Sequence, residues 1–314
     1  MNFGEIIKNE ILNKPIKDKH CKKAFLAGLI RGTGMLYEKD GELGLDFKVN
    51  NEETAMQVAN YFHSLFNYDI REVAVSEDRL NKKDKFVLSI SGSQASEILS
   101  ALDILTEEDG EQVVNLKFYG KITEKECCLR AFIRGLFVAV GNCTVPTQDD
   151  SVNTGYHLEM SFSHYTPALQ TSEKLAENNV LTKITRRRES YIVYIKSGEE
   201  IKDFIAFLPA PVSVLKLTDL MINREIVNDS NRRKNCDLGN VNRQIEASEK
   251  QTSAILKIQS VLGLDGLKED LKIVAVARLE NPEETLVELA ERLNLTKSCL
   301  NHRLRKLVVI ANTL

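Results

Sequence analysis

A chain of 314 residues, 43% hydrophobic and 28% charged, is long enough for two or three domains with cores of their own and has the composition of an ordinary globular protein. Its apolar runs are too short for a membrane span, as in 132–140 with Arg134 inside it, and the lysine- and acid-bearing N-terminus has no signal-peptide core. A cytoplasmic protein with no membrane association is expected, and a net charge of −3 gives it no overall attraction for phosphate.

The first strong signal is an apolar helix ending in Leu26-Ala27-Gly28-Leu29-Ile30-Arg31-Gly32-Thr33-Gly34. Alternation then predicts strands at 34–38 and 43–50, a helix at 52–66, strands at about 70–76 and 85–91 joined by a polar connection, and a helix at 93–105. The order repeats with a helix at 124–140, which runs through Ile133-Arg134-Gly135-Leu136-Phe137-Val138-Ala139-Val140 into Gly141. Strands near Cys143 and at 156–163, a helix at 166–178, strands at 181–187 and 191–196, and a helix at 198–208 complete the second copy. Leu45, Phe47 and Val49 alternate with Asp46, Lys48 and Asn50 as Leu158, Met160 and Phe162 alternate with Glu159, Ser161 and Ser163, so each strand has one buried and one wet face. The reading is a duplicated α+β domain over 1–223, two α-ββ-α-ββ-α repeats at about 20–106 and 124–208.

Pro209 and Pro211 end that domain, and the polar stretch 224–246 reads as a linker. Its Arg232, Arg233 and Lys234 are candidate phosphate contacts, although a polar connecting helix has the same composition. Beyond it an all-α domain, 247–314, is expected with helices at 247–262, 267–279, 283–293 and 296–309, Asn281-Pro282 stopping one and starting the next. In the last pair Leu286, Leu289, Ala290 and Leu293 share a face, a turn Asn294-Leu295-Thr296 follows, and Leu300, Leu304 and Leu307 share the next face: a helix-turn-helix pattern. Asn294 takes the turn position that usually calls for glycine, because asparagine tolerates a left-handed backbone.

Charge separates the two parts. Residues 1–223 carry 27 Lys and Arg against 32 Asp and Glu, and residues 224–314 carry 15 against 13. Within the last helix Lys297, Arg303, Arg305 and Lys306 have no acidic neighbour, whereas Glu283, Glu284, Glu288 and Glu291 crowd the helix before it. That polarity suits a recognition helix in a major groove, with Lys297, Ser298, Asn301, His302, Arg303, Arg305 and Lys306 facing bases and phosphates of double-stranded DNA. Arg186-Arg187-Arg188 reads as a solvated strand end, with a local DNA contact as the alternative. Six cysteines stand without the paired spacing of a zinc site, so no metal and no cofactor is expected; Cys21 and Cys128, equivalent positions in the duplication, read as buried small hydrophobes.

The first nonapeptide resembles the LAGLIDADG signature of homing endonucleases, whose paired helices carry an acidic residue before the final glycine to hold a metal at the scissile phosphates. Here those positions are Thr33 and Val140, so the resemblance implies a retained packing core, with Gly28 and Gly32 facing Gly135 and Ala139, and no catalytic residue. Arg134 stands where a small residue is expected, so the sequence leaves the closeness of the two helices open at that point.

A degenerate duplicated LAGLIDADG domain followed by a helix-turn-helix resembles the WhiA family of bacterial regulators over nearly the whole chain. The strings Asn223-Arg224-Glu225, Asn231-Arg232, Asn235-Cys236-Asp237, Asn240-Val241-Asn242-Arg243 and Asn301-His302-Arg303-Leu304-Arg305-Lys306-Leu307 add to the likeness. The resemblance implies a non-enzymatic DNA-binding transcriptional regulator connected with cell division, chromosome segregation and, in some lineages, sporulation; a nucleoid-associated location is expected with it, and the first domain is read as a body for protein interaction or modulation. Two other readings stay open: a nuclease using carboxylates such as Asp46 and Glu159, and a regulator whose first domain senses a ligand.

Overall fold

The computed structural model describes residues 2–78, 83–146 and 155–314, which fall into two compact units, Met1–Arg224 and Glu225–Leu314. Unit 1 opens with a helix that periodicity alone did not mark. In α1 (Phe3–Leu12) the Asn2 side chain caps the Gly4 amide at 3.2 Å, and Phe3, Ile7 and Ile11, four residues apart, turn inward.

The two signature helices are α2 (Lys19–Thr33) and α5 (Glu126–Val140), and they pack side by side as the centre of the unit. Following α2 come β1 (Met35–Lys39), β2 (Glu42–Val49), α3 (Glu52–Phe66), β3 (Arg71–Asp78), β4 (Lys83–Ile90) and α4 (Ala95–Ala101). Residues 79–82 of the polar connection expected between β3 and β4 lie outside the described residues. After α5 the second copy gives β7 (Gly141–Thr144), β8 (His157–Phe162), α6 (Tyr165–Glu177), β9 (Lys183–Arg187), β10 (Ser190–Ile195) and α7 (Gly198–Phe207). The strand orders are β1-β2-β4-β3 and β7-β8-β10-β9, all antiparallel, so the duplication read from the sequence is a duplication of topology.

Between the copies lies an unexpected hairpin, β5 (Leu105–Glu108) with β6 (Glu111–Val114), and α4 is correspondingly shorter than the helix predicted at 93–105. Asp109 (φ 53) and Gly110 (φ 84) turn it with both central residues left-handed, as Asp40 (φ 56) and Gly41 (φ 76) turn β1 into β2.

Pro211 opens α8 (Pro211–Val261), a single helix of 51 residues that includes the whole segment 224–246. The Glu10 carboxylate of α1 accepts from the Val212 amide (2.8 Å), the Ser213 amide (2.7 Å) and the Ser213 hydroxyl (2.6 Å), occupying the N-terminal donors of α8 with an anion. A long run with few large apolar residues reads as a connection, yet Gly239 is the one glycine and there is no proline between Pro211 and Gly263, so nothing breaks the helix.

Unit 2 gathers Ile255 and Ile258 of α8 with α9 (Glu269–Glu280), α10 (Leu286–Arg292) and α11 (Lys297–Thr313) around Leu271, Val274, Leu289, Ala290, Leu300, Leu304 and Leu307. Arg278 is 2% exposed within this core; its Nη1 donates to the Glu284 carbonyl at 2.8 Å, and burial lowers its pKa against the opposing pull of Glu284.

Candidate nucleic-acid interface

The turn between α10 and α11 is built by its own sequence. Thr285 and Glu288 form a reciprocal capping box at the start of α10, the Glu288 amide donating to the Thr285 hydroxyl (3.2 Å) and the Thr285 amide to the Glu288 carboxylate (2.8 Å). At the other end Asn294 adopts φ 52, its amide donating to the Glu291 carbonyl (3.1 Å) and that of Leu295 to Ala290 (2.8 Å), the paired bonds of a Schellman stop. Thr296 then caps α11 by accepting from the Cys299 amide at 3.2 Å. The left-handed asparagine expected from the sequence is therefore present, and it fixes how the two helices turn.

Leu300, Leu304, Leu307 and Ala311 bury one stripe of α11. Lys297, Ser298, His302, Arg305 and Lys306 are exposed and Asn301 is half-buried, so the basic stripe faces outward with no acidic residue on its own helix. Arg303 differs. Its guanidinium turns to α9, Nε 3.7 Å from the Asp270 carboxylate and Nη1 3.4 Å from the Asp270 carbonyl. Glu284, just before α10, is also engaged locally: it pairs with Arg292, which holds the carboxyl below its usual range. On α8, Arg232, Arg233 and Lys234 are exposed, with Arg233 2.8 Å from Asp229 one turn earlier.

The signature helices show what became of the other candidate site. A Cβ on Gly28 would overlap the carbonyl oxygen of Phe132, and one on Gly135 would overlap that of Phe25. A Cβ on Gly32 would lie 2.7 Å from that of Ala139. Arg134 leaves this contact closed. It leaves the seam, stacks over the Phe25 ring at 5.5 Å and donates to the carbonyls of Ile11 and Lys14 at the end of α1, with burial pulling its pKa down to about 10.

At the helix ends Thr33 hydrogen-bonds Lys48 in both directions, its hydroxyl to the carbonyl (3.0 Å) and the Lys48 amide to the hydroxyl (3.3 Å). Val140 has no oxygen to offer. Glu159 is 2.9 Å from His157 on the same strand, and Asp46 keeps one buried carboxylate oxygen without a partner. Arg186, Arg187 and Arg188 are exposed at the β9 end, as read, with Arg186 over the Tyr191 ring at 5.9 Å.

Three of the six cysteines come together in space. His20 and Cys21 of α2 meet Cys127 and Cys128 of α5, with their nitrogen and sulfur atoms all within 4.8 Å of one another. Ligand spacing along the chain could not show this, because the pairs are separated by the length of a repeat; alignment of the repeats, 20 with 127 and 21 with 128, is the signal that could. Burial first, then the neighbouring sulfurs, pushes the Cys21 thiol up to about 12.

Comparison with known proteins agrees with this architecture. Family models match in chain order: the WhiA N-terminal LAGLIDADG-like domain over 19–105, the WhiA LAGLIDADG-like domain over 129–227, and the WhiA C-terminal HTH domain over 230–311. The chain is 31% identical over 319 residues to the probable cell division protein WhiA of Alkaliphilus oremlandii, covering 100% of this chain and 98% of that one. Against the protein of the same name from Bacillus velezensis it is 34% identical over 322 residues, covering 100% and 97%. The crystal structure of full-length WhiA from Thermatoga maritima superposes with a TM-score of 0.58 at 24% identity, over 100% of this chain and 99% of that chain, a likeness of fold.

Proposed function

The chain belongs to the WhiA family, and on that premise we propose that it is a sequence-specific DNA-binding transcriptional regulator of cell division and chromosome segregation. The helix-turn-helix makes the DNA contact, and the duplicated domain has lost nuclease activity and serves as a protein-interaction or modulating body. One observation carries the reading: α11 presents Lys297, Ser298, His302, Arg305 and Lys306 outward on a helix with no acidic residue, held by a turn whose bonds are complete.

In this reading Lys297, at the first turn of α11, and Lys306 take phosphates, while Ser298, Asn301, His302 and Arg305 face base edges. Arg303, occupied by Asp270, fixes α11 on α9 rather than reaching DNA. Arg232, Arg233 and Lys234 add phosphate contacts from α8. Support for the lost cleavage is chemical: a hard metal ion at the scissile phosphate wants carboxylate oxygens, and the two helix ends offer a hydroxyl tied to Lys48 and a valine side chain.

The test is the salt dependence of DNA affinity for the full chain with magnesium present, the DNA being recovered afterwards. Tight binding to a selected site, a steep fall with salt and uncut DNA are expected. Cut DNA, or binding without salt dependence, overturns the reading.

A further inference from the structure

The structure assigns a zinc site to His20, Cys21, Cys127 and Cys128, a Cys3His set that ties the two halves of the duplicated domain together at the open end of the signature helix pair. The donor atoms already lie within 4.8 Å of one another, and His20 Nδ1 is 3.2 Å from Cys128 Sγ and 3.3 Å from Cys21 Sγ. A tetrahedral ion with zinc–sulfur and zinc–nitrogen bonds of about 2.3 and 2.0 Å holds its ligand atoms roughly 3.5–3.8 Å apart. Closing the quartet on such an ion therefore needs side-chain shifts of about an ångström, not movement of the helices.

Placement explains why these residues are suited to a cation. His20 and Cys127 are the second residues of α2 and α5, and Cys21 and Cys128 are the third, so each helix contributes an adjacent pair from equivalent turns. Those turns are the positive ends of two helix dipoles, which suit the negative charge of a metal-bound thiolate set. Three thiolates and a neutral imidazole around Zn2+ leave one net negative charge, facing those two helix ends and the neighbouring Lys125. Soft sulfur and imidazole donors select zinc over magnesium or calcium.

Access is also present. Cys21 and Cys128 are buried whereas His20 and Cys127 are exposed, and Cys21 and Cys127 border a cavity of about 670 Å³ walled by Arg130, Arg134 and Phe207. Binding converts three thiols to thiolates and releases three protons to solvent, with no change of oxidation state. The ion would act as a staple: it joins two segments 107 positions apart at the helix ends remote from Thr33 and Val140.

The full-length reduced chain, stripped by chelation, is titrated with Zn2+ against a chromophoric chelator and in parallel with Co2+. One zinc per chain, a melting temperature that rises with free zinc, and the absorption of a tetrahedral cobalt–thiolate complex are expected. His20→Ala and Cys127→Ser alter exposed side chains and so leave the fold intact by circular dichroism, while each weakens zinc binding by about tenfold or more. No metal uptake by the folded wild type overturns the assignment, as does unchanged affinity in both variants. So does formation of a Cys21–Cys128 disulfide in a chain that takes up no zinc when reduced.

Discussion

Gly28 and Gly135 occupy reciprocal positions in the two signature helices, each lacking the Cβ that would overlap a carbonyl oxygen of the other helix, that of Phe132 for Gly28 and that of Phe25 for Gly135. Because the obstacle on both sides is backbone, neither helix can yield by turning a side chain. Gly28→Ala should cost about 3 kcal/mol, the upper end of the usual cost of overpacking, and Gly135→Ala a similar amount. Gly239→Ala, in the middle of α8 with its nearest neighbour atom at 3.9 Å, should instead stabilise by up to about 1 kcal/mol. Thermal or denaturant unfolding of the three variants checks this, and equal effects at positions 28 and 239 would refute the close-packed seam.

The turn of the helix-turn-helix makes a second, opposite pair of effects. Asn294 is left-handed, so Asn294→Gly should be neutral or slightly stabilising and Asn294→Ala should cost about 1 kcal/mol. Thr285→Ala, which removes half of the capping box, should also cost about 1 kcal/mol. The measurement is the unfolding of unit 2 followed in the full chain; an alanine at 294 that leaves it unchanged contradicts the left-handed turn.

These two sites differ in how readily the sequence shows them. Asn294 and the buried stripe of α11 are legible because turn chemistry and helical period are local. The paired glycines are legible because the duplication repeats them, and the same periodicity placed α3 at Glu52–Phe66 with its observed ends. Three features depend on what only the fold brings together. Arg134 looks like an intruder in a small-residue seam until the carbonyls of α1 are seen to receive it. His20, Cys21, Cys127 and Cys128 become neighbours through helix pairing rather than spacing. The stretch 224–246 is mostly polar and exposed, which hides a helix that has nothing to break it. The hairpin at β5 and β6 was different, since Asp109-Gly110 marks it locally and the helical run before it obscured the mark.

Lys8 gives a pH dependence with a definite sign. Burial lowers its pKa from 10.5 to about 8, with Glu5 raising it and Lys85 lowering it further, and its ammonium sits 5.8 Å above the Phe137 ring. Between about pH 8 and 10.5 the unfolded chain therefore holds a proton at this position that the folded chain has released. Stability conferred by this group rises with pH across that window, at less than about 1.4 kcal/mol per pH unit. Unfolding of the wild type minus that of Lys8→Met, measured from pH 7 to 9, isolates it from the buried thiols, whose raised pKa values act in the opposite direction at higher pH. A difference that is flat, or that falls with pH, would contradict the assignment.

Arg303 and Arg305 offer the sharpest test of the proposed DNA face, because they lie two residues apart on one basic helix and the structure gives them different surroundings. Arg305 is exposed, whereas Arg303 is half-buried against Asp270. If Arg305 reads a base, Arg305→Ala should cost about 1 to 3 kcal/mol in affinity for the preferred site and relax specificity there; if it holds a phosphate, the salt slope should fall by about 1. Arg303→Ala should lower the melting temperature slightly and leave the salt slope as in the wild type, since the cation it removes is already engaged. Asp270→Ala separates position from charge: it frees Arg303 without removing it, so it should lower stability as Arg303→Ala does while affinity holds or rises. Affinity and salt slope measured for the three variants on one duplex decide the matter. An Arg305→Ala protein that binds like the wild type, or an Arg303→Ala protein that alone loses binding, would place the DNA on a different face of α11.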